Sequence, residues 1–237
     1  MSANGNGADD SDESRDADAG SSGGSTASTG REVARRLFAR EFNDATYMFK
    51  ESDDELAPNY TLLPTGERAN RLFFVGTLTE TEDVGSDSEY WQGRVVDPTG
   101  TFYAYAGQYQ PEAANSLRKI ETPAYVAVVG KPRSYETDEG DTNVAVRPES
   151  INRIEEAARD RWVVETAEKT IERLQAFDAE TNDYAQMARE EYGGSISAYQ
   201  EGAITALESL DTADEPVDED ETEGEDEASS ESGTDRT

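Results

Sequence analysis

The strongest constraint on the fold is a polar turn flanked by two runs of alternating large and small residues, WQGRVVDPTGTFYAYAGQY, at positions 91–109. The tetrapeptide DPTG is typical of a tight turn, and the runs on either side predict an antiparallel hairpin. The register of the hairpin follows if Pro98 and Thr99 form the tip. The expected pairs are Val96 with Thr101, Val95 with Phe102, Arg94 with Tyr103, Gln92 with Tyr105, and Trp91 with Ala106.

This register sorts the hairpin into an apolar face and a tyrosine-rich face, because side chains alternate along a strand. The face expected to point inward contains Trp91, Gly93, Val95, Phe102, Ala104 and Ala106. The face expected to point outward contains Tyr90, Gln92, Arg94, Tyr103 and Tyr105. A slip of one residue would exchange the two sets, and the uniformly apolar inner set favours this register over its neighbours.

The order of predicted elements around the hairpin indicates a small barrel. Strands are predicted at 71–80, 90–97, 101–108, 124–131 and 142–147, with a short helix at 111–119 between the third and the fourth. Three strands, a helix and two strands is the order of an OB-fold, a five-stranded Greek-key barrel. The predicted fold class is therefore mainly β with α, with the OB-fold barrel at residues 71–148.

Helical patterns precede and follow the predicted barrel. In residues 30–70, Val33, Leu37 and Phe38 share one face of a predicted N-terminal helix, and a connector containing prolines follows it. In residues 149–210 a long amphipathic helix is predicted, with Gly193 and Gly194 separating two shorter helical pieces behind it.

The apolar stripe of the long helix has two open interpretations. It either packs across the base of the barrel or docks on a partner protein, and burial of Trp162 in the isolated chain would favour the first. The candidate partner-binding residues on this stripe are Ile151, Ile154, Trp162, Ile171 and Leu174.

The chain is strongly acidic, with a net charge of −32. Residues 1–29 and 211–237 are polar and acidic and are expected to be disordered tails. Residues 30–210 still hold 34 of the 53 acidic residues and 19 of the 21 basic ones, a net charge of −15. Such a surface repels itself unless salt screens it, so the composition favours a halophilic cytoplasm over an ordinary acidic protein with disordered tails.

Missing residue types exclude several classes of chemistry. The chain has no cysteine and no histidine, which removes disulfides, thiol nucleophiles, the usual zinc sites and histidine-based triads. The acidic run ESDDE at 51–55 is expected to be a solvated loop rather than a magnesium site, and the sequence has no GxxxxGK[ST] phosphate loop. We therefore expect no catalysis, no cofactor and no metal. Neither a secretory signal nor a transmembrane segment is predicted, so a cytoplasmic protein is expected.

The outward tyrosines lie where OB-folds bind oligonucleotides, on strands two and three and the adjoining loops. Tyrosine rings stack on bases of any sequence, and basic side chains contact phosphates. The candidate DNA-binding residues are Tyr90, Gln92, Arg94, Tyr103, Tyr105, Lys131, Arg133, Tyr135 and Arg147. One alternative is that the tyrosines cover a sheet face or pack under the C-terminal helices. Another is that the basic side chains after the fourth strand merely form ion pairs with Glu136 and Asp138 in a mobile loop.

Three segments of the chain, within about residues 31–177, resemble the haloarchaeal replication protein A-associated proteins. The resemblance is carried by the connector APNY…LPTG…NR, the hairpin DPTG…YAGQYQP and the helical run VRPESINRIEEAARDRWVVETAEKTIERL, in this order. It implies an archaeal OB-fold protein that acts with replication protein A, a single-stranded-DNA-binding partner, in DNA replication and repair. The family has no catalytic motif to transfer, and a role on DNA would make the expected cytoplasmic protein nucleoid-associated. No small-molecule substrate and no membrane partner are expected.

Two functions are therefore expected as alternatives. The first is an accessory single-stranded-DNA-binding protein in complex with replication protein A, in which tyrosine stacking supplies much of the affinity. The second is an interaction module that docks on replication protein A without contacting DNA, which the acidity of the chain favours.

Overall fold

The computed structural model describes residues 32–179 and 181–211. The tail predicted at 1–29 lies outside these ranges, and so does the tail predicted at 211–237 apart from its first residue. The strands are β1 (Arg35–Arg36), β2 (Met48–Lys50), β3 (Asn59–Leu62), β4 (Arg68–Ala69), β5 (Leu72–Asp83), β6 (Trp91–Asp97), β7 (Gly100–Ala106), β8 (Ala124–Glu136) and β9 (Thr142–Arg153). The helices are α1 (Ala39–Asp44), α2 (Pro111–Lys119), α3 (Glu156–Ala176), α4 (Asp183–Tyr192) and α5 (Ser197–Asp211). No helix in these ranges is both long enough and apolar enough to cross a bilayer.

Five strands close into the OB-fold barrel that the sequence predicts. They follow the order β5-β6-β7-β9-β8, and β8 pairs back onto β5 to close the sheet. All of these pairings are antiparallel except that of β7 with β9. Helix α2 connects β7 to β8 and buries Leu117 against Gly93 of β6, where a Cβ atom would lie 2.5 Å from Leu117 Cδ2. The predicted fold class is therefore confirmed.

The register of the β6–β7 hairpin is the one predicted from the sequence. Each expected pair, from Val96 with Thr101 to Trp91 with Ala106, is present. The inward side chains of Val95 and Phe102 are fully buried. Phe102 stacks on Phe74 of β5 with ring centroids 3.9 Å apart, so the inner face of the hairpin forms the centre of the barrel core.

The β8–β9 ribbon is longer than the sequence pattern indicates. The two strands stay paired from Val126 with Arg153 to Glu136 with Thr142, so the segment expected to be a loop after the fourth strand is mostly strand. The side chains of Tyr135 and Glu136 at the end of this ribbon are exposed. Because no face of the ribbon is buried there, its sequence shows no alternation of apolar and polar residues from which a strand could be predicted.

The N-terminal helix begins later than predicted. Arg35 and Arg36 form β1, which pairs in parallel with β5, and the helix starts only at Ala39. Val33, expected on the apolar face of the helix, is 83% exposed, whereas Leu37 and Phe38 are buried. The expected helical start was therefore wrong, since the apolar residues enter the core from an extended segment and not from a helical face.

The C-terminal region also differs from the predicted single long helix. Ile151 belongs to β9 and Ile154 follows that strand, while α3 begins at Glu156. The two shorter helices are confirmed as α4 and α5, and Gly193, with φ of 78°, ends α4 in the left-handed conformation that glycine adopts without strain.

Helices α3 and α5 pack on each other, and α3 packs on strands β5 and β8 of the barrel. Trp162 of α3 is 2% exposed and meets the ring of Phe38 edge-on, with centroids 5.5 Å apart. A buried ion pair also joins α3 to α1, because Arg173 Nη2 donates to Glu41 Oε2 at 2.6 Å. The apolar stripe of α3 is therefore used largely within the chain.

A second, smaller core lies beside the three-stranded sheet β2-β3-β4. Leu62 of β3 packs there with Phe177 and with Ala185 and Ala188 of α4. The amide side chain of Asn182 caps the start of α4 by accepting a hydrogen bond from the Ala185 N–H at 3.1 Å.

Candidate nucleic-acid interface

The parallel pairing of β7 with β9 brings two predicted binding residues together. Ala104 and Val146 are partners in this pairing, and both are fully buried in the barrel. Side chains alternate along a strand, so the next residues, Tyr105 and Arg147, point outward beside each other.

This pairing extends the tyrosine-rich face of the hairpin across four strands, β6, β7, β9 and β8. The residues at successive strands form two rows, as the pairings of β6 with β7 and of β9 with β8 show. One row is Gln92, Tyr105, Arg147 and Lys131, and the other is Arg94, Tyr103, Ala145 and Arg133. We call these two rows together the outer face.

The tyrosines of the outer face contact each other. The ring of Tyr90, just before β6, stacks on that of Tyr105 with centroids 5.8 Å apart and an angle of 18° between the planes. Gln92 Nε2 donates to the Tyr105 hydroxyl at 2.7 Å. Arg133 Nη1 lies 3.4 Å from the Tyr90 hydroxyl, so the β8–β9 ribbon reaches the same cluster.

Burial raises the pKa of Tyr105, and the nearby hydroxyls of Tyr135, Tyr103 and Tyr90 raise it further, whereas the hydrogen bond from Gln92 lowers it. The ring therefore stays neutral, and it carries no negative charge that would repel a phosphate. Tyr103 and Tyr135 are 38% and 36% exposed, which leaves ring surface available to a ligand.

The basic residues of the outer face differ from several arginines elsewhere in the chain in that they form no ion pair among the described residues. Arg173 and Arg71, for example, form ion pairs at 2.6 Å with Glu41 and Glu149. Within residues 32–179 and 181–211, no ion pair involves Arg94, Lys131, Arg133 or Arg147. Arg94 donates to the hydroxyl of Thr79 at 3.1 Å. These four cations are therefore available to an anionic ligand.

One positioning residue was missed in the sequence. Asp83 Oδ1, at the end of β5, accepts hydrogen bonds from the backbone N–H groups of Gly85 at 3.1 Å and Tyr90 at 3.0 Å. These bonds lower the pKa of Asp83 and fix the backbone where Tyr90 enters the outer face. The signal available in the sequence was an Asp followed two residues later by Gly, which is typical of a turn.

The predicted partner-binding residues do not form one exposed surface. Ile151 and Trp162 are 3% and 2% exposed, and Ile154 packs against the same core. Leu174 is half-buried, and Ile171 is 41% exposed. For Ile151 and Trp162 the burial favours the first interpretation, packing within the chain.

The acidic run at 51–55 is partly engaged. Glu51 accepts a hydrogen bond from the Tyr184 hydroxyl and pairs with Arg68, and the Tyr184 bond is the main cause that lowers its pKa. In the part of the chain that the structure describes, no cluster of three or more carboxylates is placed to hold a metal ion.

No family model and no curated protein matches this chain. Among solved structures, it is similar to OBody AM3L09 bound to hen egg-white lysozyme, with 14% identity and a TM-score of 0.29 over 35% of this chain and 80% of that one. It is also similar to the mitochondrial single-stranded DNA binding protein Rim1 from S. cerevisiae, with 20% identity and a TM-score of 0.28 over 36% and 94% of the two chains. A third is asparaginyl-tRNA synthetase from Pyrococcus horikoshii, with 13% identity and a TM-score of 0.30 over 45% of this chain and 30% of that one. Similarities at this level assign no ligand to the outer face.

Proposed function

We propose that this chain is a single-stranded-DNA-binding protein that holds the strand on its outer face. The observation that carries the proposal is the combination of clustered tyrosine rings with four basic side chains free of carboxylate partners among the described residues. Outward residues two apart on a strand, such as Tyr103 and Tyr105, are about 7 Å from each other, and each can stack on a base. The proposed role is binding and not catalysis.

Stacking suits a chain with a net charge of −32 better than ionic binding does. A strongly acidic protein repels DNA at low ionic strength, whereas at molar salt the Debye length is about 3 Å and distant carboxylates are screened. Stacking on tyrosine contributes roughly 1–3 kcal/mol per base and does not depend on counterion release. Basic side chains within the face then act over short distances only.

The proposed partner is replication protein A, and the proposed process is DNA replication and repair. The support is the resemblance of the connector, hairpin and helical segments to replication protein A-associated proteins. The second candidate function, docking on replication protein A without touching DNA, is favoured by Val164 and Ile171 of α3. Each is 41% exposed, and because they are seven residues apart they lie on the same side of the helix.

A binding titration tests these proposals. A fluorescent oligo-dT is titrated in molar KCl with the full chain, alone and together with replication protein A from the same genome. We expect the chain alone to bind, and Tyr103→Ala/Tyr105→Ala to weaken binding by roughly 2–6 kcal/mol if both rings stack on bases. The matched control is Tyr103→Phe/Tyr105→Phe, which keeps both rings and should keep most of the affinity.

The outcomes separate the two candidate functions. Equal thermal stability of the Ala and wild-type chains shows that loss of binding is not loss of fold. If the chain binds no DNA alone, yet co-elutes with replication protein A and loses this association in Val164→Asp/Ile171→Asp, the docking function is correct. Normal DNA binding by the double Ala variant would contradict the role of the outer face.

A further inference from the structure

We infer that a cleft beside the outer face is a second nucleotide subsite, in which Tyr109 stacks on a base and Lys131 and Arg147 hold a phosphate. This inference rests on the proposed function and extends the path of the DNA strand beyond the hairpin. Tyr109 is not among the DNA-binding or partner-binding residues predicted from the sequence.

The cleft has a volume of about 330 Å³ and lies between the start of α2 and the β8–β9 ribbon. Tyr109, Gln110 and Glu112 line one side, and Lys131, Arg147 and Pro148 line the other. Arg147 also stands beside Tyr105 in the outer face, through the parallel pairing of β7 with β9. The cleft and the outer face therefore share Lys131 and Arg147 and form one continuous surface.

Lys131 and Arg147 form a pair of like charges. They are direct partners in the antiparallel β8–β9 pairing, and both are exposed. Like charges directly opposite each other in such a pairing are destabilising. Neither is in an ion pair within the described ranges, although the chain has far more acidic than basic residues. An anion between the two side chains would remove this repulsion, which points to a phosphate.

Tyr109 supplies the aromatic half of the subsite. It follows the end of β7 at Ala106 by three residues, and its side chain is 83% exposed. A ring this exposed adds little to the core, so its removal is not expected to affect folding. Its place in the same cleft as the two cations gives it the composition of a nucleotide site, a ring for the base and positive charge for the phosphate.

Two carboxylates also line the cleft, and they affect the phosphate differently. Glu149 accepts from Arg71 Nε at 2.6 Å, so its charge is partly compensated. Glu112 lies in the first turn of α2 on the Tyr109 side of the cleft. A phosphate bound in the cleft would be repelled by the Glu112 carboxylate. Replacing Glu112 by its uncharged isostere glutamine should therefore strengthen binding.

Two lengths of oligo-dT test the inference, one of about 4 nucleotides that fits the outer face and one of about 12 that can also reach the cleft. Both are titrated into the full chain by fluorescence anisotropy in molar KCl. Tyr109→Ala should weaken binding of the longer oligonucleotide at least about fivefold and leave the shorter one unchanged. Tyr109→Phe keeps the ring and should match the wild type, whereas Glu112→Gln should bind the longer oligonucleotide more tightly.

The charge pair is tested by its salt dependence. Removing one phosphate contact with Lys131→Gln should reduce the slope of log affinity against log salt by about 0.7 for the longer oligonucleotide. Arg161→Gln, which removes an exposed cation on α3, is the matched control and should leave the slope unchanged.

Each result decides a different point. If neither oligonucleotide binds the wild-type chain, the proposed function itself fails. If both bind but Tyr109→Ala binds the longer one normally, only the second subsite fails. Equal weakening of the short and long oligonucleotides by Tyr109→Ala would show that Tyr109 belongs to the primary site, which would overturn the extended path.

Discussion

The position of a single ring on the outer face depends on a neighbouring residue that has no side chain. A Cβ atom on Gly107, just after β7, would lie 2.8 Å from Cδ2 of Tyr90. The ring of Tyr90 can therefore lie against the backbone there and stack on Tyr105. Asp83 fixes the backbone of Tyr90 by accepting a hydrogen bond from its N–H. The tyrosine cluster is thus positioned by Gly107 and Asp83, neither of which needs to touch a ligand.

Gly107→Ala is expected to displace Tyr90 and weaken oligo-dT binding by about 1 kcal/mol, or about fivefold in Kd, because one stacked ring moves. Anisotropy titration measures the loss, and a melting curve shows whether the fold is retained. Gly202→Ala, in helix α5, is the matched control. A Cβ atom at this position would lie 3.5 Å from Thr99 Cγ2, an ordinary van der Waals contact. The control should bind normally and gain up to about 1 kcal/mol of stability. Equal binding by Gly107→Ala and the wild type would show that the ring of Tyr90 is not part of the site.

At the scale of elements, the hairpin could be predicted because its information is local. A period of two on both sides of DPTG leaves one register with an apolar inner face, and the β6–β7 pairing has that register. Helix α1 could not be placed in this way. The N–H of Ala39, at its first residue, donates to Asp97 Oδ2 at 2.7 Å, so the start of the helix is capped by the hairpin turn. A cap supplied by a residue so distant in the chain leaves no local pattern.

The same distinction explains the error in the C-terminal region. Ile151 and Ile154 match the helical spacing of Trp162, but they meet the core from a strand and from the segment after it. A few apolar residues over a short segment are compatible with the period of a strand and with that of a helix. Here the pairing with β8 makes the segment up to Arg153 a strand. The candidate site shows the same limit, because the hairpin tyrosines followed from local alternation whereas the placement of Tyr105 beside Arg147 depends on the β7–β9 pairing.

One hydroxyl of helix α4 makes two hydrogen bonds to the backbone at the three-stranded sheet. Tyr192 accepts a hydrogen bond from the Tyr47 N–H at 3.0 Å and donates one to the Leu62 carbonyl at 2.9 Å. Burial is the main cause that raises the pKa of Tyr192 from 10.0 to about 12. In the unfolded chain the group ionises near its ordinary pKa of about 10. The unfolded chain therefore releases its proton first, and ionisation favours unfolding.

The contribution of Tyr192 to the free energy of unfolding should consequently be constant below about pH 10 and fall as the pH rises towards about 12. Tyr192→Phe should cost about 1 kcal/mol at about pH 8, because the Tyr47 N–H and the Leu62 carbonyl each lose a hydrogen-bond partner, and it should flatten the alkaline fall. Denaturant unfolding at a series of pH values measures both effects. Tyr109→Phe, which removes an exposed hydroxyl, should change neither. An alkaline fall of the same size in Tyr192→Phe would assign it to other tyrosines.

At the scale of the whole molecule, the charge opposes both folding and DNA binding unless it is screened. The net charge is −32, and residues 30–210 alone carry −15. In the folded chain these charges are closer together than in the unfolded chain, so their repulsion destabilises the fold at low ionic strength. The arginine-rich ion pairs of the described residues offset only part of this repulsion, because most are partly exposed and therefore weak.

Added KCl should therefore raise the melting temperature of the chain, and screening of the carboxylates should offset part of the loss of oligo-dT affinity that salt causes at the phosphate contacts. Four cations on the outer face set an upper limit of about 3 on the slope of log affinity against log salt, at about 0.7 per phosphate contact. Melting curves and titrations between about 0.1 and 3 M KCl measure both quantities over the range in which the Debye length falls from about 10 to below 3 Å. Near about pH 4.5, where many carboxylates bind protons, the dependence of melting on salt should become smaller. A melting temperature that is independent of salt at neutral pH would contradict the predicted halophilic character, and a binding slope well above the limit would show that ionic contacts, and not stacking, supply the affinity.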